Sequence, residues 1–112
     1  MDEARVAEFR QRLAAELEAL DGEDALGAAA QKTVELDQTS VGRLSRMDAM
    51  QGQAMAKATS ARRAARRQRI AAALRRMDEG EFGYCANCGE EIAPARLDLD
   101  PTVPGCIACA SG

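Results

Sequence analysis

The sequence lacks histidine and tryptophan, and its only aromatic residues are two phenylalanines and one tyrosine. Large side chains for a core are therefore scarce, and the hydrophobic fraction of 46% comes mainly from alanine, leucine and valine. A chain of 112 residues with this composition cannot build a large globular core. Closely packed alanine-rich helices stapled by a metal ion would suit it better.

A long apolar run is also missing, and so is a basic N-terminus, because Met1 leads directly into Asp2 and Glu3. We therefore expect neither a signal peptide nor a membrane span. The net charge of −3 does not indicate a polyanion-binding protein. These absences together predict a cytoplasmic protein whose thiols stay reduced.

What the sequence does contain is four cysteines in two C-x-x-C pairs, Cys85/Cys88 and Cys106/Cys109, with seventeen residues between the pairs. A gap of two residues lets one tight turn aim two thiolates at the same point, so two such turns form a tetrahedral sulfur cage. A cage of four thiolates has no position for water, which indicates one structural zinc ion per chain. The alternatives are two disulfides, which a reducing compartment disfavours, and iron, which also accepts tetrahedral thiolates. With its cysteines committed to metal and no histidine, the protein is predicted not to be an enzyme.

Charge is distributed in three blocks along the chain. Residues 1–37 carry ten acidic side chains against four basic ones, and residues 49–77 carry eight basic side chains and no acidic one. From residue 78 onward there are seven acids and only Arg96. A run of arginines is most often a solvated or salt-bridged helix face, so we expect the basic arm mainly to balance the acidic one. The alternative is a face that docks onto a polyanion or a protein.

The acidic arm has the periodicity of an amphipathic helix. Its apolar residues recur at intervals of three and four, the spacing of one helix face: Val6, Phe9, Leu13, Leu17 and Leu20. We predict a weak point at Asp21-Gly22, where glycine lowers helix stability and can kink or split the helix. Beyond this point Leu26 can resume the apolar face.

A second helix is predicted from about Val41 to Glu79, after a turn at residues 37–40 whose polar side chains can cap it. Helical spacing picks out a seam that we expect to face the first helix: Met47, Met50, Ala54, Ala58, Ala61 and Ala65. Two long helices joined by a short turn must lie antiparallel if they pair. Residue i should then face residue 79−i, which places Glu16 near Arg63.

The module after residue 79 is rich in proline and glycine, which we expect to interrupt any helix. Gly89 directly follows Cys88, where a positive φ lets the backbone curl around the metal. The expected fold is therefore mainly α. Residues 1–79 form a long antiparallel helical hairpin, a coiled coil, and residues 80–112 form a small C4 zinc-ribbon-like module.

The cysteine module carries a specific pattern. Phe82-Gly83-Tyr84-Cys85 is followed by Cys88-Gly89, Glu91-Ile92, Arg96-Leu97, Pro101-Thr102 and Cys106-Ile107, and Cys109 closes the module. This pattern, preceded by a long hairpin, resembles the DksA/TraR family of bacterial transcription regulators. The resemblance covers the metal module densely and the rest of the chain in outline.

The resemblance implies a mechanism without enzyme chemistry. Family members bind RNA polymerase, and their hairpin enters the secondary channel, where acidic tip residues alter the stability of the promoter complex. In this sequence Asp37 matches the tip acid best, and Asp48 is a second acid further along the next helix. The candidate docking residues on the basic arm are Arg62, Arg66 and Arg69.

Some family members also cooperate with the alarmone ppGpp, and one basic position that contacts it falls on Arg69. Two further basic positions fall on Asp100 and Ala110. Because this chain has no positive charge at those two positions, we expect little response to ppGpp.

Two other functions stay open at this point. The arginine run could belong to a zinc-stabilised nucleic-acid-binding module. However, no aromatic residues alternate with the basic residues of this run, and the neighbouring arm is acidic. We therefore do not expect direct DNA binding. The chain could also be an interaction module whose exposed methionines, Met47, Met50 and Met55, bind another helical protein.

Overall fold

The computed structural model describes the backbone of residues 1–37 and 43–111 and the side chains of residues 1–27 and 46–110. Four helices follow one another along the chain: α1 (Glu3–Asp37), α2 (Arg43–Asp78), α3 (Pro94–Leu99) and α4 (Ile107–Ser111). The described residues form no strand, and a single antiparallel bridge joins Tyr84 to Glu91. The prediction of a mainly helical chain with two long helices is therefore confirmed. The predicted turn at residues 37–40 lies largely outside the described residues.

The chain divides into two compact units. We call residues 1–17 together with 67–112 the metal-bearing unit, and residues 18–66 the helical unit. The metal module therefore shares a compact unit with the first turns of α1 and the last turns of α2. A separate boundary between residues 79 and 80 stays a prediction.

The hydrophobic core lies entirely in the metal-bearing unit, as far as the described residues go. Leu13, Ile70 and Leu97 have no exposed surface. The ring of Phe9 packs against that of Phe82 with centroids 5.6 Å apart and planes tilted by 54°, an arrangement that aromatic pairs favour. The remaining buried hydrophobic residues are Ala73, Met77, Cys85 and Ile92. The stripe predicted on the acidic arm is thus confirmed at its first core positions, Phe9 and Leu13.

The helical unit has the opposite pattern: no side chain among its described residues is buried. The predicted seam is wrong, because Met47 and Met50 are each 60% exposed, and Ala54, Ala58, Ala61 and Ala65 are exposed as well. Leu26, expected to resume the apolar face of α1, is 74% exposed. The half-covered stripe of α2 lies elsewhere, at heptad spacing: Ala49, Gln53, Ala56, Ser60 and Arg63.

Two ion pairs record the helix register, one in each unit. In the helical unit Arg63 contacts Asp24, and in the metal-bearing unit Arg10 Nη2 lies 2.8 Å from Asp78 Oδ1. The paired residue numbers add to 87 and 88, so the expected register, with Glu16 opposite Arg63, is shifted by about two helical turns. Part of the shift comes from the side chains. Side chains on a helix point toward its N-terminus. In an antiparallel pair, two side chains that meet therefore both come from positions with higher residue numbers than the backbone positions that face each other.

Two local expectations about helix breakers need correction. α1 continues through Gly22, so the predicted break does not occur. No atom outside the local helix lies within 4 Å of the position that a Cβ would take at Gly22. Pro94 does not interrupt a helix but begins α3, because the first helical position needs no backbone donor. Gly80 does end α2: it has φ 75°, and the N–H of Glu81 donates to Arg76 O at 2.8 Å.

No helix among the described residues has the length and apolar character that crossing a membrane requires.

The division of the core predicts a sharp contrast between two leucines of α1. Leu13→Ala should lower the free energy of unfolding by about 2–5 kcal/mol, because Leu13 is fully buried. Leu26→Ala, the same change at a position 74% exposed, should alter it by less than about 0.5 kcal/mol. Urea unfolding of the metal-loaded protein, followed by circular dichroism, measures both. Equal losses would contradict the placement of the core.

Candidate metal centre

The four cysteines, all within the described residues, come together at one point. Their Sγ atoms all lie within 4.8 Å of one another, and Cys88 Sγ is 3.7 Å from Cys106 Sγ. Four sulfur atoms about 2.3 Å from a zinc ion would stand about 3.8 Å apart in a regular tetrahedron. All four cysteines are free thiols, and a disulfide would need sulfur atoms only about 2.05 Å apart. The donor set therefore fits a tetrahedral metal ion, and the alternative of two disulfides is wrong.

The first pair is shaped by a tight turn that ends on Gly89. Gly89 has φ 75°, as predicted from its place after Cys88, and its N–H donates to Cys85 O at 2.9 Å. The N–H of Cys85 donates to Glu90 O at 2.8 Å, which returns the chain alongside itself. A residue with a Cβ would be strained at this position, because φ is positive there. The turn that Gly89 permits brings the two thiolates of the first pair to the same point.

The second pair is presented by the start of a helix. Cys106 immediately precedes α4, which begins at Ile107, and Cys109 lies in the first turn of that helix. The N–H of Ala110 donates to Cys106 O at 3.0 Å, closing this turn. Residues three apart on a helix lie on one side, so both sulfur atoms face the first pair.

The electrostatics of the cluster call for a cation. Backbone N–H groups of Cys106, Cys88 and Asn87 donate to the buried Cys85 sulfur and lower the pKa of its thiol to about 6. In contrast, the neighbouring thiols of Cys106, Cys85 and Cys88 raise the pKa of Cys109 to about 12. Four thiolates this close repel one another, and a divalent cation is the charge that lets all of them ionise.

Two contacts tie the cysteine pairs to each other. The N–H of Ala86, next to Cys85, donates to Pro104 O at 2.8 Å. A Cβ built on Gly105, next to Cys106, would lie 3.7 Å from Cys85 Sγ. The residues beside the ligands thus also meet, which the spacing of the cysteines does not predict.

The residues predicted to regulate or dock lie outside the metal cluster. Asp48 is exposed on α2, and α1 ends at Asp37, whose side chain is outside the described residues. Arg62 and Arg69 are exposed, and Arg66 is half-buried. Arg69 contacts the metal module, where its Nη2 lies 2.9 Å from Asp100 Oδ2.

The Arg69–Asp100 pair was not foreseen from the sequence, because 31 residues separate its members. Asp100 Oδ1 also accepts the N–H of Thr102 at 3.0 Å and its hydroxyl at 2.7 Å. The carboxylate therefore fixes the turn after α3 and binds α2 at the same time. A signal was present in the local sequence, since an Asp two residues before a Thr often bonds its own backbone in this way.

The structure thus combines a C4 cysteine cluster, typical of a structural zinc site, with two long helices that precede it in the chain. Residues 80–112 match the family model of the prokaryotic dksA/traR C4-type zinc finger. The resemblance predicted from these residues is therefore confirmed, and their four cysteines are positioned to bind one metal ion. The family description names zinc, which agrees with the predicted metal and not with the alternative of iron.

Curated relatives carry the same kind of module. RNA polymerase-binding transcription factor DksA from Haemophilus influenzae is 48% identical over 42 residues, which is 38% of this chain and 29% of that protein. The protein of the same name from Escherichia coli K12 is 40% identical over 42 residues, covering 38% of this chain and 28% of that protein. The alignments thus span less than a third of the length of these relatives, which are named as transcription factors and not as enzymes.

A solved structure extends the likeness to the helices. The structure of transcription factor DksA2 from Pseudomonas aeruginosa matches this chain with a TM-score of 0.86 and 24% identity. The match covers 98% of this chain and 83% of that one. Nearly the whole chain therefore shares the DksA2 fold, which confirms the predicted fold class.

The cluster predicts one equivalent of zinc per chain in protein purified without chelator. Cys106→Ser should leave three thiolates and abolish tight binding, because the metal supplies much of the module's folding energy. Ala110→Ser, which introduces a serine at an exposed position of the same short helix, should keep a full equivalent. Elemental analysis measures both. A parent protein with less than about half an equivalent, or with iron, would contradict the zinc assignment.

Proposed function

We propose that this protein is a bacterial transcription regulator that binds RNA polymerase and acts through the end of its helical hairpin in the secondary channel. The observation that carries the proposal is the dksA/traR zinc finger combined with the DksA2 fold over 98% of the chain. The names of the curated relatives supply the partner, RNA polymerase. In this proposal the protein is cytoplasmic and performs no catalysis, and Cys85, Cys88, Cys106 and Cys109 hold a structural zinc ion.

The long helices suit a probe of a narrow channel. α1 has 35 residues, which at about 1.5 Å per residue gives an axial length of roughly 53 Å. This helix ends on an acid, Asp37. A carboxylate delivered near a magnesium-dependent active centre would attract the metal ion and repel phosphates. Asp37 is therefore our proposed tip residue.

The exposed side of α2 suits docking onto a partner helix. Ala58, Ala61 and Ala65 are small and exposed, so another backbone can approach this side closely. Arg62 lies among them and donates to Thr59 Oγ1 of its own helix at 3.1 Å, which leaves the guanidinium at the surface. In this proposal Arg62 is the leading docking residue. Arg66 and Arg69 have partners within the chain and contribute less.

The tip proposal predicts that binding and regulation separate. Asp37→Asn removes the charge and keeps the size, so polymerase binding should survive while the effect on transcription is lost or reduced by about tenfold, the cost of roughly 1.4 kcal/mol of tip interaction. Asp48→Asn is the matched control, because Asp48 is an exposed acid on the other long helix. In vitro transcription with purified polymerase, together with a binding assay, measures both variants.

Each outcome of this experiment is informative. No polymerase binding at micromolar concentration would reject the proposal, and tight, steeply salt-dependent binding to generic DNA would favour a nucleic-acid-binding module instead. Binding by an Asp37→Asn variant as active as the parent would keep the partner and discard the tip mechanism.

The Arg69–Asp100 ion pair supports our expectation of little response to ppGpp. The guanidinium of Arg69 already forms an ion pair with the carboxylate of Asp100 in the same chain. Asp100→Asn keeps an oxygen for Thr102 and frees Arg69, so it should tighten ppGpp binding by up to about fivefold, the value of an exposed ion pair. Asp98→Asn, which frees Arg5 instead, should leave binding unchanged. Isothermal titration measures both, and strong ppGpp binding by the parent would refute the expectation.

A further inference from the structure

The segment between α3 and the second cysteine pair, residues 100–105, has no regular secondary structure of its own. Backbone carbonyls in such a segment need donors from elsewhere. The N–H of Ala86 serves Pro104 O at 2.8 Å, Arg96 Nε serves Gly105 O at 3.0 Å, and Arg76 Nη2 approaches Thr102 O at 3.4 Å. The side chains of two arginines thus supply hydrogen-bond donors that a neighbouring strand would supply in a sheet.

Arg96 stands out among these donors because of where its acceptor lies. Gly105 is the residue immediately before Cys106, and a Cβ at this position would lie only 3.7 Å from the sulfur of Cys85. The hydrogen bond is partly buried, so water competes with it poorly. A guanidinium at this point therefore holds the backbone at the place where the two halves of the metal cluster meet.

The helix that carries Arg96 is itself anchored. Leu97, the next residue on α3, has no exposed surface. On the last turn of this helix, Arg12 Nη1 of α1 donates to Asp98 O at 2.7 Å. Because these contacts hold α3 in place, the backbone that carries Arg96 is fixed. The hydrogen bond from its guanidinium can therefore fix the position of Gly105.

We propose that Arg96 is a positioning residue for the second cysteine pair: by binding Gly105 O it sets the place of Cys106 and Cys109 in the zinc cluster. The arginine acts on the ligands through the backbone and does not touch the metal. This proposal rests on the zinc assignment and is independent of the polymerase.

The test measures how fast zinc leaves the full-length, zinc-loaded protein when a chromogenic chelator is added in excess. Arg96→Ala should release zinc about 10–100-fold faster than the parent, the usual effect of removing a group that orients metal ligands. Arg96→Lys keeps a charge and one donor and should fall between the two. Arg10→Ala is the matched control: it removes another arginine of the metal-bearing unit, whose exposed partner Asp78 lies on α2, and zinc release should stay within about twofold of the parent.

A second measurement separates positioning from a general loss of stability. Cobalt(II) loaded in place of zinc reports the sulfur geometry through its visible absorption, and Arg96→Ala should change the positions of these bands while Arg10→Ala leaves them unaltered. If Arg96→Ala does not fold, Arg96→Lys decides, with shifted bands and faster release supporting the proposal. Parent-like release and bands in the Arg96 variants, or equal acceleration in Arg10→Ala, would overturn it.

Discussion

The convergence of four sulfur atoms is the constraint on which the compact part of this molecule depends. No strand ladder joins the two cysteine pairs, since a single bridge, Tyr84–Glu91, is the only sheet-like pairing among the described residues. A metal ion held by both pairs would close the chain between them and fix the start of α4, which directly follows Cys106. Every buried hydrophobic residue that the structure describes lies in the same unit as this cluster. Metal and core therefore stabilise one body together, as small domains with few large side chains require.

The metal site was the most predictable part of the molecule because its information is local. Each C-x-x-C pair places two donors three residues apart, and Gly89 directly after Cys88 predicts a turn with positive φ; the structure has all of these features. The start of the apolar stripe on α1 was equally readable, since Phe9 and Leu13 lie one turn apart with polar neighbours.

The face of α2 could not be read in the same way. Alanine fits both a helix interface and a solvent-exposed helix surface, so the seam of Met47, Met50 and Ala54 was assigned to the inside and is in fact outside. The side that is half-covered includes Gln53, Ser60 and Arg63, residues that a hydrophobicity pattern rejects. Arg63 is there because it meets Asp24, and that information is 39 residues away in the chain. A separation of 31 residues likewise hid the bond between Arg69 and Asp100.

A helical pair with nothing buried between its described residues has a consequence for how the sequence can change. A substitution in a packed core must match the volume and shape of its neighbours, whereas an exposed position on a helix accepts most residues at a cost of about 0.5 kcal/mol or less. In the helical unit the exposed faces include Leu26, Met47, Met50 and Met55, so these positions are free to be altered without endangering the fold. Mutational tolerance is thus concentrated in the helical unit, and intolerance in the metal-bearing unit, where the long helices contribute Phe9, Leu13 and Ile70 to the core. The same scaffold can therefore acquire new contact surfaces on its helices while its metal-bearing unit stays unchanged.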